Sequence, residues 1–229
     1  FAAIDFGPED IHGAVKISYR NEEGGFLAGA LAAMLTTHEN VDRTNPDKKI
    51  GIIMGADIPA VQRFKQGYEA GARFIDSRIQ ILSENLNDFS NKDKAAAAAL
   101  RLHNEGADII FCAAGGASLG AIEAAQRGGY WTIGADAQME TLYPDTVLTS
   151  ILKLNSHVVY GIVDHFMKNK PFSKDISIGM KEDAIDISTW SRESKKNIPV
   201  DVQRRLNEIE EKLIQGLIVI KDLNYQSIN

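Results

Sequence analysis

Three short apolar runs in this chain end in residues suited to gripping a small polar molecule: Lys49-Ile-Gly-Ile-Ile-Met-Gly-Ala-Asp57, Asp108-Ile-Ile-Phe-Cys-Ala-Ala-Gly-Gly116 and Tyr130-Trp-Thr-Ile-Gly-Ala-Asp136. Carboxylates accept hydrogen bonds from hydroxyl groups, and glycine lets backbone amides approach a ligand closely. Asp57, Gly115 and Asp136 are therefore candidate ligand-binding residues. A second chemistry competes for the same region. Gly116-Ala-Ser118-Leu-Gly120 satisfies G-x-S-x-G between a strand-like and a helix-like run, the setting in which a serine nucleophile is presented above a parallel sheet. Chain order permits Ser118 as nucleophile, Asp136 as orienting acid and His157 or His165 as base, which would make the protein an α/β-hydrolase-like enzyme. Against this, His157 falls inside a helical pattern rather than on a loop over the sheet, and the motif fixes only three common positions. Phosphate-loop chemistry is excluded, because Ala121 and Ile122 stand where Lys and Ser/Thr would have to follow Gly120. The glycines also fail the G-x-G-x-x-G dinucleotide pattern.

These residues need a scaffold, and the composition allows one. With 229 residues, 44% of them apolar, the chain can bury a substantial core and divide into two lobes. A net charge of −6 gives no overall field for phosphate backbones, so nucleic acid is not an expected partner. The nearly uncharged stretch Gly24 to Thr37 is too short to span a bilayer and reads as a buried helix. Cys112 is the single cysteine, and the five histidines show no metal-ligand spacing, so neither a metal nor a cofactor is expected. The start Phe1-Ala-Ala-Ile-Asp5 has neither an initiator Met nor signal-peptide character, which reads as an interior fragment or a processed product.

Strands are expected at 1–5 and 14–19, then a helix over 25–35. From Lys49 the pattern becomes regular: strand to 54, helix 59–72, strand 79–83, helix 92–104, strand 108–113, helix 119–127, strand 131–135, which together make one four-strand doubly wound lobe. Pro59 is well placed to open its helix, and Ser118 to cap the next. A strand at 147–152, a helix at 156–168, an irregular stretch around Gly179 and an amphipathic helix at 200–215 complete the chain. The polar segment 39–48 is expected as an exposed loop.

Several of these runs, taken in order, carry a family resemblance. Glu22-Glu-Gly-Gly-Phe-Leu-Ala-Gly-Ala-Leu-Ala-Ala33, Gly55-Ala-Asp-Ile-Pro59 with Phe64 and Gly67-Tyr-Glu-Ala-Gly71, Gly106-Ala-Asp-Ile-Ile-Phe-Cys-Ala-Ala-Gly115, Ile133-Gly-Ala-Asp-Ala-Gln138 and Val147-Leu-Thr-Ser-Ile-Leu-Lys153 resemble the basic membrane protein family of substrate-binding lipoproteins, whose best-understood branch is the PnrA-like purine nucleoside receptors. The resemblance implies a mixed α/β, type I periplasmic-binding-protein fold, with two doubly wound parallel-sheet lobes joined by a three-strand hinge and the first lobe truncated at its N-terminus. Residues 1–45 would be the remainder of that lobe, 46–136 the second lobe, and 137–229 the return across the hinge with the C-terminal helices. It further implies a non-enzymatic, extracytoplasmic protein that delivers a purine nucleoside to an ABC transporter permease, held to the membrane by an N-terminal lipid anchor outside this chain.

For such a ligand, Asp136 with Lys153, and Asp5 from the other lobe, would hold the ribose hydroxyls through charge-assisted hydrogen bonds. A purine needs an aromatic face. Phe89 is the first candidate, with Phe111 and Phe64 behind it, since Phe111 lies in a fully apolar strand and Phe64 on an apolar helix stripe. Ala137 stands where the family often carries a second acid, which leaves the preferred ligand open. A regulatory ligand sensor on the same lobe pair is the remaining alternative.

Overall fold

The computed structural model describes residues 1–5, 13–188 and 195–220. Thr189 to Ser194 and the last residues of the chain lie outside the described residues, as does the segment from Phe6 to His12. Two sheets organise the chain. A three-stranded parallel sheet has the order β1 (Ala2–Ile4), β2 (Val15–Tyr19), β8 (Asp175–Ile178). A six-stranded sheet has the order β4 (Gln80–Asn85), β3 (Lys49–Met54), β5 (Ala107–Ala113), β6 (Trp131–Asp136), β7 (Val147–Lys153), β9 (Ile185–Ile187). Every pairing in it is parallel except the last, β7 with β9.

The larger sheet is covered on both faces, which is why its central strands read as continuous apolar runs. Along β5 successive side chains alternate faces: Ile109 and Phe111 join one core with α1 (Asn21–Thr36), α2 (Pro59–Ile75) and α6 (Val200–Ile214), while Ile110 and Cys112 join another with α3 (Lys92–Asn104) and α4 (Ser118–Gly128). On α2 the buried Val61, Phe64, Tyr68 and Ala72 repeat at helical spacing. Pro59 occupies the first turn, where its missing N–H is no loss. Asn91 caps α3 by accepting a hydrogen bond from the Lys94 amide at 3.0 Å.

Helices α1 and α2 pack backbone against backbone. A Cβ on Gly25 or Gly29 would collide with the carbonyl oxygen of Phe64 or Tyr68, and one on Gly67 or Gly71 with that of Glu22 or Phe26. The two Gly-x3-Gly faces interlock and leave no room for a methyl group. Helix α1, which falls within the residues 1–45 expected for the first lobe, packs on α2, α6 and the six-stranded sheet. Apolar all round from Gly24 to Leu35, α1 shows no single face in the sequence that would reveal its partner.

Three further differences have local causes. The stretch around Gly179 is not irregular, for it holds β8, a 3-10 turn (Met180–Glu182) and β9. These strands are short and gain their identity from pairing with β2 and β7. The expected four-strand lobe is thus a six-stranded sheet. Segment 39–48 is anchored as well as exposed: Val41 is buried, and the Asp42 carbonyl accepts a 2.7 Å hydrogen bond from the Trp131 indole.

The chain passes between the sheets at three places, β2 to α1, β7 to α5 (Asn155–Met167) and β8 to β9. Arg20, in the first passage, reaches into the third, donating to the Ser177 carbonyl at 3.0 Å and to Glu182 at 2.5 Å, while also bonding Glu23 at 2.5 Å. Glu23 in turn accepts the Met180 amide at 2.7 Å. The Leu154 amide, in the second passage, donates to the Ala184 carbonyl at 2.9 Å. All three passages are thereby tied together.

The glycine interlock makes a direct prediction. Gly29→Ala forces a methyl group into the Tyr68 carbonyl and should destabilise the protein by about 1–3 kcal/mol, whereas Gly161→Ala, on a helix position with open space, should be neutral or stabilising. Urea midpoints of the two variants check it.

Candidate functional site

In an open parallel sheet the ligand crevice lies beyond the carboxyl ends of the strands. The carboxyl ends of β6, β7 and β1 deliver Asp136, Lys153 and Asp5 to one place. The Lys153 ammonium lies 2.6 Å from Asp5 and 3.3 Å from Asp136, so a single cation joins an acid of the small sheet to an acid of the large one. The Lys153 side chain is only 10% exposed, against 30% for Asp5 and 46% for Asp136, so the acids keep solvent-facing lone pairs while the lysine is enclosed. Its ammonium also sits 5.5 Å from the ring centre of Tyr19 and 5.3 Å from that of Phe64, within cation–π range of both.

Both acids occupy the left-handed region, with φ of 57° at Asp5 and 68° at Asp136. That conformation is uncommon for residues with a side chain, though Asp tolerates it better than most. At Asp136 the Ala137 amide closes back on the Ala135 carbonyl at 2.9 Å, so the aspartate is the apex of a three-residue turn at the strand end. The chain turns sharply and the carboxylate projects over the edge. Tyr19, which ends β2, donates its hydroxyl proton to Asn155 at 2.5 Å. Burial, reinforced by Asp5 and Asp136, pushes the Tyr19 phenol up to about 12, so it stays a neutral donor at physiological pH.

A second cluster lies along the same sheet edge, beyond β3, β4 and β5. Phe89 is 39% exposed. A Cβ on Gly55 would run into its ring, and one on Gly115 would come within 3.4 Å, so glycine backbone supports the ring from beneath. The Phe89 carbonyl accepts the Ala117 amide at 2.8 Å, and Asp88 fastens the loop by accepting the Ser90 and Asn91 amides at 2.9 and 3.1 Å. These amide bonds hold the Asp88 carboxyl below its ordinary range. Asp57 is exposed on this edge and bonded to Gln62 at 2.6 Å.

The structure thus brings Asp5, Asp136 and Lys153 together at one end of the edge, sets Phe89 on Gly55 and Gly115 at the other, and leaves Asp57 paired with its own helix. Phe111 is elsewhere. Its ring is fully buried between Phe64, at 5.6 Å edge-on, and Tyr68, at 5.5 Å stacked, so it is a core residue with no face for a ligand. Sequence reasoning missed Tyr19 and Asn155. Tyr19 ends a strand run and could have been suspected there, but its link to Asn155 spans 136 positions and has no local signal.

The hydrolase arrangement is not assembled. Ser118 does not cap α4 from outside, since it is the first residue of that helix. Its buried hydroxyl donates to the Cys112 carbonyl at 3.2 Å and accepts the Ala114 amide at 3.1 Å, stitching the strand–helix turn closed. His157 and His165 lie on α5, lining a groove of about 380 Å³ with Ile17, Ile176 and Ile178 of the small sheet. His165 is engaged with the Pro171 carbonyl at 2.9 Å. Among the described residues no cluster of three or more His, Cys, Asp or Glu side chains is placed to hold a metal, and no helix is long and apolar enough to cross a membrane.

The family model described as "ABC transporter substrate-binding protein PnrA-like" matches residues 1–224. The chain belongs to this family. Basic membrane protein B of Borrelia garinii subsp. bavariensis is 36% identical over 81% of the chain and 52% of its own length. Basic membrane protein C of Borreliella burgdorferi is 31% identical over 97% of the chain and 61% of its own length. The chain therefore spans about half to three-fifths of these relatives. Solved structures share the type I periplasmic-binding fold. A solute-binding protein of an ABC transporter system from Aeropyrum pernix matches with a TM-score of 0.81 at 21% identity, over 98% of this chain and 71% of that one. A transcriptional activator of the comK gene from Bacillus halodurans matches with a TM-score of 0.80 at 18% identity, over 95% and 71%. At such identities these neighbours speak to the fold alone.

In this PnrA-like chain Ser118 is a structural residue. Ser118→Ala should remove two buried hydrogen bonds and lower stability by about 1–3 kcal/mol in urea titration.

Proposed function

We propose that this chain forms a ligand cleft between its two sheets and binds a purine nucleoside there, as the receptor component of an ABC importer working outside the cytoplasm. The observation that carries the reading is Lys153 held between Asp5 and Asp136 at the meeting of the sheets. Two carboxylates and an ammonium offer acceptors and donors for a pair of neighbouring ribose hydroxyls, and hydrogen bonds to charged groups are the strong ones. Phe89, exposed above Gly55 and Gly115, supplies an aromatic surface for a base, a contact worth about 1–3 kcal/mol. Ligand contacts from both sheets would favour the closed arrangement, with the three passages around Arg20 as the hinge.

Family membership supports a small-molecule ligand and a permease partner. A lipid anchor belongs to the same proposal, as does Asp57 as a further polar contact at the cleft edge. The Lys153 ammonium is already engaged by Asp5 and Asp136, and those two carboxylates would repel a phosphate group, which favours nucleosides over nucleotides.

Isothermal titration of the protein with adenosine, guanosine, inosine and a pyrimidine nucleoside tests the reading. One-to-one purine binding should weaken by about tenfold to a hundredfold in Asp136→Ala, the worth of a hydrogen bond to a charged group, and should be unchanged in Ser118→Ala. Absence of heat with every nucleoside, or purine binding indifferent to Asp136, would refute it.

A further inference from the structure

Beyond Asp136 the chain turns under the sheet edge, and a carboxylate is buried there that the ligand reading does not use. Glu140 has no solvent exposure. One of its oxygens accepts the Ser150 hydroxyl at 2.7 Å, and the other has no hydrogen-bond partner among the described residues. Burying a carboxylate with an unsatisfied oxygen is costly, so what it holds in place matters.

It holds the loop that follows Asp136. The Ser150 hydroxyl that donates to Glu140 also accepts the Met139 amide at 3.0 Å. Ser150 lies on β7 opposite Gly134 of β6, where a Cβ on the glycine would come within 2.5 Å of the hydroxyl. Ser150 is itself fixed, its amide donating to the Ser188 hydroxyl at 2.9 Å and its carbonyl accepting the Ser188 amide at 2.8 Å. The Met139 carbonyl then accepts the Leu142 and Tyr143 amides, both at 3.0 Å. From Gly134 to Tyr143 the chain is thus pinned at Met139 and Glu140 to a single point on β7. Asp136 is the one residue of that span in the left-handed region, at the apex of its turn.

We propose that Glu140, acting through Ser150, is a positioning residue that holds the Asp136 turn and so aims the Asp136 carboxylate at Lys153 and the cleft. The proposal rests on the nucleoside reading for its effect on binding, but the loop it organises can be read without a ligand. Glu140 touches no ligand itself. Its removal should relax the turn and withdraw the contribution Asp136 makes, leaving the rest of the cleft intact. Glu140→Gln keeps an acceptor for the Ser150 hydroxyl and should preserve the arrangement.

A double-mutant cycle with guanosine, adenosine and inosine decides the binding effect. Glu140→Ala should weaken purine affinity by about tenfold in the parent protein and by less than about twofold when Asp136 is already Ala, because the two losses are one loss. Glu140→Gln should bind like the parent. Equal losses in both backgrounds would mean a general structural role and overturn the proposal. Hydrogen exchange on the ligand-free protein supplies the second arm: in Glu140→Ala, amides 137–143 should lose protection while those of β5 and α2 keep theirs. Unchanged protection there would overturn the proposal too. Should Glu140→Ala fail to fold, Ser150→Ala takes its place in both arms with the same expectations. If Asp136→Ala leaves every nucleoside affinity unaltered, the nucleoside reading falls and the exchange arm still decides what Glu140 holds.

Discussion

One enclosed lysine between two acids governs how the halves of this molecule meet. Lys153 ends the strand that leaves the large sheet, Asp136 ends the neighbouring strand, and Asp5 directly follows the first strand of the small sheet. An ammonium so little exposed requires compensation, and its compensation comes from both sheets. The ends of the sheets are therefore held in register at the place where the parallel architecture opens its crevice. In the proposed cleft a ligand would meet carboxylates that remain partly exposed, and an ammonium whose direction is already set.

That contact works only because what stands behind it does not shift. Helices α1 and α2 approach so closely through Gly25, Gly29, Gly67 and Gly71 that one cannot slide past the other without carbonyl collisions. Phe64 projects from this locked pair toward Lys153. On the other side, Arg20 gathers Glu23, Glu182 and the Ser177 carbonyl, so that the passages between sheets form one tied bundle. Rigid bodies joined at a compact set of crossings are the setting for hinge motion.

Much of this was legible from residues, and the exceptions share a cause. Helices α2 and α3 and strand β5 follow from periodicity, caps and a continuous apolar run, because their environment repeats along the chain. Strand ends are legible as well: Asp136, Lys153 and Asp5 each stand at the end of an apolar run, and the structure brings the three into contact. Strands β8 and β9 were not, since an Asp-Ile-Ser-Ile or Ile-Asp-Ile segment becomes a strand only when a neighbour pairs with it. Ser118 and Phe111 were ambiguous for the same reason: a serine in a glycine-flanked turn and a phenylalanine in an apolar run acquire their roles from what surrounds them, here a carbonyl and two rings. The partners of Tyr19 and Glu140 left no local trace, because the first is bonded across 136 positions and the second to a hydroxyl on the next strand.

The central claim is that the ligand sits between the sheets and is held by the Lys153 cluster. A crystal structure of the protein grown with guanosine tests it most directly. The account predicts ribose hydroxyls within about 3 Å of Asp136 and Lys153, with the base lying on Phe89. A nucleoside ordered elsewhere on the molecule, with Lys153 still enclosed by its two acids and touching nothing else, would contradict it.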